Sequence, residues 1–398
     1  MSTQSRGVSY SREMFSTRTN WNLNTTRLAE SLARLRASKR KLIDLSASNP
    51  TEVGFRYDGA SILKAFISPS ALKYSPDPSG LRSARLAVGE YYLGLNEHVS
   101  ADDLILTTST SEAYSYVFRL LCNPGDELLI PSPSYPLFDF LAELQDVKLV
   151  RYPLFYDLGW HVDFHALRQA ITPRTRGMIL VHPNNPTGHY TKPGEREALN
   201  AVCAEHELAI IADEVFLDFN LAGNGARSFV SNKDALTFTM SGISKISGLP
   251  QMKLSWLAVS GPEEQKREAL GRLEVIADTF LSMNATVQIA APALLAQRHG
   301  FQEQLIGRVR SNLAELDSQL VEKKECSRLE VEAGWYAVLR VPVTRSDEDL
   351  AVELLEEHGV YVHPGHFYDF SGDGHLVVSL ITPEREFSEG LEQVLGMF

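Results

Sequence analysis

From residue 104 to residue 259 short apolar runs alternate with longer stretches of helical periodicity, and this alternation limits the architectures open to the chain more than any other feature. The runs fall at 104–106, 127–130, 147–150, 178–181, 209–212, 237–240 and 254–259. Apolar strands separated by helices predict an α/β fold with a mainly parallel sheet covered on both faces, since strands buried on both sides read as near-continuous hydrophobic runs. The alternation ends near Pro262. A helical stretch over 263–324 follows, then strands around 329–331, 337–341 and 376–380 and helices around 347–358 and 383–397, which together predict a smaller α+β unit. Leu28, Leu32 and Leu35 stand at helical spacing within 26–38, so the N-terminal segment is expected to add a helix to that unit. At 398 residues the chain exceeds one ordinary domain. The expected division is a large domain over 46–285 and a small one built from 1–45 and 286–398.

Charge and composition exclude several functions. The net charge of −12 repels a polyanion, so nucleic acid is not an expected partner. A single phosphate can still be held, because a local nest of amides and cations suffices. No run approaches the roughly 18 apolar residues of a membrane span. Residues 1–12 are polar and lack the apolar centre of a secretory signal. Cys122, Cys203 and Cys326 are widely spaced with no CxxC, which fits a reducing cytoplasm and neither a disulfide framework nor a metal site.

Ligands of open α/β sheets bind at the carboxyl ends of the strands, and five short elements fall there. Lys245 lies in a Ser/Gly-rich loop, 241–250, after the run 237–240. A lone lysine is most often solvated, but small neighbours leave room for a planar group, and a desolvated lysine can attack a carbonyl. Asp213 and Glu214 end the run 209–212. A carboxylate there needs a cation, a helix N-terminus or a metal to offset its burial. The turn His182-Pro183-Asn184-Asn185-Pro186-Thr187-Gly188 can aim the Asn185 amide at a ligand, or serve as an ordinary Asx turn. Thr107 to Ala113 contains Ser109, Thr110 and Ser111 at a helix start, which suits an anion and equally a capping box. Tyr135 stands in a proline-rich turn, 131–136, where it can stack on an aromatic ligand or pack in the core.

Taken in order, these elements resemble the class I/II aminotransferases of fold-type I, enzymes dependent on pyridoxal 5′-phosphate (PLP). The segment 182–188 is similar to that family's NPxNPTG, 213–215 to its DEVY, Ser244-Lys245 with Gly248-Leu249-Pro250 to its SK…GLPG, and 74–82 to its Y…GL..LR. The resemblance spans roughly 45–385. It implies an aspartate aminotransferase-like fold and transfer of an amino group between an amino acid and a 2-oxo acid. Lys245 would hold PLP as a Schiff base and shuttle the α-proton, and Asp213 would pair with the ring nitrogen. Asn185 would bond the ring oxygen, Tyr135 would stack on the ring, and Ser109, Thr110 and Ser111 would face the phosphate. Tyr74 would reach the phosphate of a neighbouring subunit, which implies a homodimer with shared sites.

Four positions depart from the family pattern. Phe216 replaces a tyrosine, removing a hydroxyl donor to the ring oxygen. Lys253 stands eight positions after Lys245 in place of an arginine, keeping a point charge for the phosphate without a bidentate fork. Gly242 replaces a phosphate-binding serine. Val377-Val378-Ser379 replaces a strand that carries the substrate-carboxylate arginine, leaving Arg56, Arg340, His363 and Arg385 as candidates. Because bond choice depends on how the substrate is held, a PLP-dependent C–S lyase or related elimination enzyme is the alternative. A ligand-sensing regulator on the same fold would need a DNA-binding domain, and only about 45 residues precede the first family-like segment, with no basic recognition helix.

Overall fold

The computed structural model describes residues 14–223, 227–281 and 283–398. Residues 1–12, read above as a polar start without a secretory core, lie outside that range. Each apolar run becomes a strand of one eight-stranded sheet: β1 (Leu104–Thr107), β2 (Glu127–Ser132), β3 (Lys148–Tyr156), β4 (Trp160–Val162), β5 (Thr175–Val181), β6 (Ala209–Asp213), β7 (Thr237–Gly242) and β8 (Ser255–Ser260). Their order is β1-β8-β7-β6-β5-β2-β3-β4. The four central pairings, β7·β6, β6·β5, β5·β2 and β2·β3, are parallel. Strand β8 runs antiparallel to both β1 and β7, and β4 turns back on β3 as a hairpin edge. The sheet is thus mainly parallel.

Alternate residues of the strands serve opposite faces. Ile179, Val181, Ile211, Phe238 and Leu257 pack under the helices Thr110–Leu121 and Glu263–Thr279. On the other face Met178, Leu180, Ile210 and Ala212 meet the helix Pro193–His206 through Leu199, Val202 and Cys203. Leu104, Leu106, Trp256 and Ala258 meet the helices Arg82–Leu93 and Ala285–Ala296. Burial on both faces explains why the runs are mostly apolar.

The C-terminal part forms a four-stranded antiparallel sheet in the order Ser327–Arg328, Tyr336–Arg340, His375–Ser379, His363–Pro364. The expected strand at 329–331 is displaced to Ser327–Arg328. Leu329 and Val331 are buried as core contacts instead. The expected helix at 347–358 is Asp347–Glu353 followed by a wider turn, Leu354–His358. The stretch 263–324 resolves into Glu263–Thr279, Ala285–Ala296 and Arg298–Leu320. The helix Arg27–Ser38, capped where the Ala29 amide donates to Thr26 Oγ1, buries Leu28 and Leu35 against Ala351, Val352 and Leu355. Ile43–Asp44 pairs in parallel with Val360–Tyr361. No described helix is long and apolar enough to cross a membrane, and no cluster of metal-ligating side chains exists among the described residues.

Candidate functional site

Parallel register places the ends of β5, β6 and β7 at one edge, where Val181 faces Asp213 and Asp213 faces Met240. A cavity of about 410 Å³ opens at this edge. Ser109, Thr110, Ser111, Tyr135, Asn185, Asp213 and Lys245, named from separate stretches of sequence, all line it.

Lys245 stands on a single helical turn, Ile243–Ile246, directly after β7. Its Nζ lies 4.7 Å from the ring centre of Trp335 and 5.6 Å from that of Phe216. These apolar faces displace water and push the ammonium down to about 8, with the Asp213 charge opposing that drop. A neutral amine is therefore well populated at moderately alkaline pH, as a nucleophile requires.

Asp213 is 8% exposed, and burial pushes its carboxyl up to about 6. The Val215 amide donates to Oδ1 at 3.2 Å and the Tyr114 hydroxyl donates to Oδ2 at 3.1 Å. Both bonds favour the ionised form but do not outweigh its desolvation. The adjacent Glu214 is used differently. It accepts from Ser228 Oγ and the Phe229 amide at 2.6 Å each, so the two carboxylates do not form a pair.

Asn185 is buried at the cavity wall, and its Oδ1 has no hydrogen-bond partner among the described residues. Its turn is held by Asn184 Nδ2 donating to the Pro133 carbonyl at 3.0 Å. Gly188 has φ +68°, and a Cβ there would lie 3.1 Å from Val331 Cγ1, so this corner requires glycine. Ser109 is the N-cap of Thr110–Leu121 and accepts from the Glu112 amide through Oγ at 3.2 Å. The helix thus has a side-chain cap, while Thr110 and Ser111 carry first-turn amides that the helix itself does not bond. Tyr135 lines the cavity at 43% exposure, edge-on to Phe138 at 6.1 Å.

Two predicted residues are not brought into this cavity. Lys253 is exposed, in left-handed backbone at φ 54°, and does not line it. Tyr74 is 80% exposed and lies outside it. Of the carboxylate candidates only His363 reaches the cavity. Arg56 is exposed, with its backbone bonded to Gln304. Arg340 lies over the Tyr156 ring, and Arg385 is bonded to Glu389. Val377 and Val378 are buried strand residues.

Several site residues escaped the sequence reading. Tyr114 lies one helical turn beyond Thr110, a spacing that could have flagged it. Trp335, Tyr336 and Tyr368 come from the C-terminal sheet and its connections, and no local signal marks them. The C-terminal loop docks on the tyrosine turn through the Ser134 amide donating to the Tyr368 carbonyl at 2.9 Å and Ser132 Oγ donating to the Asp369 carbonyl at 2.8 Å.

The residues present fit PLP. Among the described residues no salt bridge meets the buried Asp213 carboxylate and no group bonds Asn185 Oδ1, and the desolvated Lys245 lines the same cavity. A sheet of this order with such a strand edge belongs to the aspartate aminotransferase-like fold. The family model for aminotransferases of class I and II matches residues 40–390, and the chain belongs to that family. It is a PLP-dependent aminotransferase. It is 31% identical over 276 residues to the glutamate-pyruvate aminotransferase AlaA of Escherichia coli, covering 68% of this chain and 67% of that one. It is 27% identical over 378 residues to the alanine aminotransferase of Mycobacterium tuberculosis, covering 92% and 87%. Its fold is similar to the solved alanine aminotransferase of Pyrococcus furiosus, with a TM-score of 0.85 at 24% identity over 93% of this chain and 95% of that one.

Proposed function

We propose that Lys245 is the coenzyme-bearing and proton-transferring residue of this aminotransferase, with Asp213 as partner of the ring nitrogen. Bound PLP supplies an electron-withdrawing ring that takes up the electrons of the broken α-C–H bond. The observation that carries the assignment is the opposed displacement of two groups in one cavity, the amine down to about 8 and the carboxyl up to about 6. Such divergence marks groups set for proton transfer and for charge pairing. Lys245 Nζ would be the base that takes the α-proton of the bound amino acid and the acid that later gives it back. Asp213, whose ionised form a cationic ring nitrogen would favour, would hold that nitrogen protonated. Asn185 would offer its amide to the ring oxygen, Tyr135 its ring face, and Thr110 and Ser111 their first-turn amides and hydroxyls to the phosphate. Ser109 acts by capping that helix. The exposure of Tyr74 supports its service to the site of a second copy, and hence a homodimer; the free thiols of Cys122, Cys203 and Cys326 support the reducing cytoplasm as its location.

Alanine, glutamate and their 2-oxo acids are the first substrates to test, because the named relatives act on them. His363 is the group proposed to meet the substrate carboxylate. Its Nδ1 lies 3.0 Å from Tyr368 Oη, and burial lowers its pKa, so it acts as a neutral hydrogen-bond donor rather than a cation. The test mixes holoenzyme with single amino acids and follows the coenzyme spectrum. Conversion to the pyridoxamine form with wild type, and none with Lys245→Ala, supports the reading. An unchanged spectrum with every donor, or pyruvate release from a β-substituted amino acid without an acceptor, overturns it.

A further inference from the structure

Gly242 removes a hydroxyl from a position where the family commonly has a phosphate-binding serine. The structure shows what occupies the vacated space. A Cβ built on Gly242 would collide with Ser255 Oγ, and would lie 2.9 Å from Ser255 Cβ and 3.0 Å from the Leu254 carbonyl oxygen. The backbone at Gly242 is extended, at φ 179°, so glycine is required here by space and not by conformation. Ser255 is the residue that takes the space.

Its location follows from register. Ser255 opens β8, which lies between β1 and β7. It is paired on one side with Gly242 and on the other with Thr107, the last residue of β1. Thr107 leads through Ser109 into the helix whose first-turn residues Thr110 and Ser111 line the cavity. Ser255 therefore sits between the start of that helix and the Lys245 turn. It is 2% exposed, and it lines the cavity. A hydroxyl at the wall of a cavity can complete the hydrogen bonds of a ligand bound there.

We infer that Ser255 supplies the hydroxyl contact to the coenzyme phosphate, exchanging roles with position 242 across a strand pair. The inference rests on the proposed placement of the phosphate at Thr110 and Ser111. It gives this chain a phosphate ligand on β8, two residues beyond Lys253, whose exposed side chain does not reach the cavity.

The test compares rebinding of PLP and of pyridoxal, which lacks the phosphate, to protein from which coenzyme has been removed. Binding is followed by absorbance and protein fluorescence for wild type, Ser255→Ala, Ser111→Ala and the double variant Gly242→Ser with Ser255→Gly. Loss of one charge-assisted bond is expected to weaken PLP roughly ten-fold in Ser255→Ala while pyridoxal changes less than about two-fold. The double variant, which restores a serine where its partner has been cleared, is expected to recover PLP affinity to within about three-fold of wild type. Wild-type PLP affinity in Ser255→Ala, or equal loss of PLP and pyridoxal, overturns the inference. If Ser111→Ala weakens PLP selectively and Ser255→Ala does not, the phosphate placement stands and Ser255 alone falls. If neither variant separates PLP from pyridoxal, the placement itself falls. Should Ser255→Ala not fold, the double variant decides by keeping or losing the wild-type preference for PLP over pyridoxal.

Discussion

Replacing Asp213 by Asn measures the electrostatic cost that the coenzyme-free protein carries. The folded carboxyl lies at about 6 against an ordinary 3.8, a net value that already includes the attraction of Lys245 and two donated hydrogen bonds. A folded value above the unfolded one means that the folded state holds its proton longer. The favourable contribution is fully present below 3.8 and is lost as pH rises through 6. At about 1.36 kcal/mol per pH unit, the ionised group costs about 1.6 kcal/mol at pH 5 and about 3 kcal/mol at pH 8. An amide does not titrate. It also disturbs the Tyr114 bond, but by an amount that does not change over this range, because the buried Tyr114 hydroxyl stays protonated. The stability of Asp213→Asn minus that of wild type should therefore rise by about 1.4 kcal/mol between pH 5 and pH 8. Urea unfolding of both coenzyme-free proteins at the two pH values measures it. A difference that is flat or falls with pH refutes the reasoning. Added PLP should stabilise wild type more than the variant at pH 8, since only wild type gains a charge partner.

Phe216→Tyr returns a hydroxyl donor to the wall beside Lys245, where Phe216 now meets Trp335 edge-on at 4.9 Å. The pH at which the lysine–coenzyme linkage loses its proton should fall by about one unit in a spectrophotometric titration, and equal midpoints would remove the idea. His363→Ala should raise KM for the amino acid roughly ten-fold with kcat changed by less than about three-fold, as loss of uniform binding requires. A KM at the wild-type value would show that another group meets the carboxylate.

The sequence by itself determined the sheet. Strands covered on both faces are mostly apolar, so β1, β2, β5, β6, β7 and β8 were each visible as a run, as was the start of the more exposed β3, and turn residues marked their ends. Lys245, Asp213, Asn185, Thr110, Ser111 and Tyr135 were legible for the same reason, since each directly follows such a run and reaches the cavity through local chain geometry alone. Only tertiary structure decided what comes from far away. The antiparallel return of β8 sets Ser255 between Thr107 and Gly242, and no local pattern encodes that register. Docking of the C-terminal sheet brings Trp335 over Lys245 and His363 to the cavity while leaving Arg56, Arg340 and Arg385 outside it. Lys253 shows the converse: its sequence position suggested a phosphate ligand, and a left-handed turn leaves it exposed. The pKa values of Lys245 and Asp213 also belong to the tertiary structure, because desolvation exists only once distant apolar surfaces close around a charge.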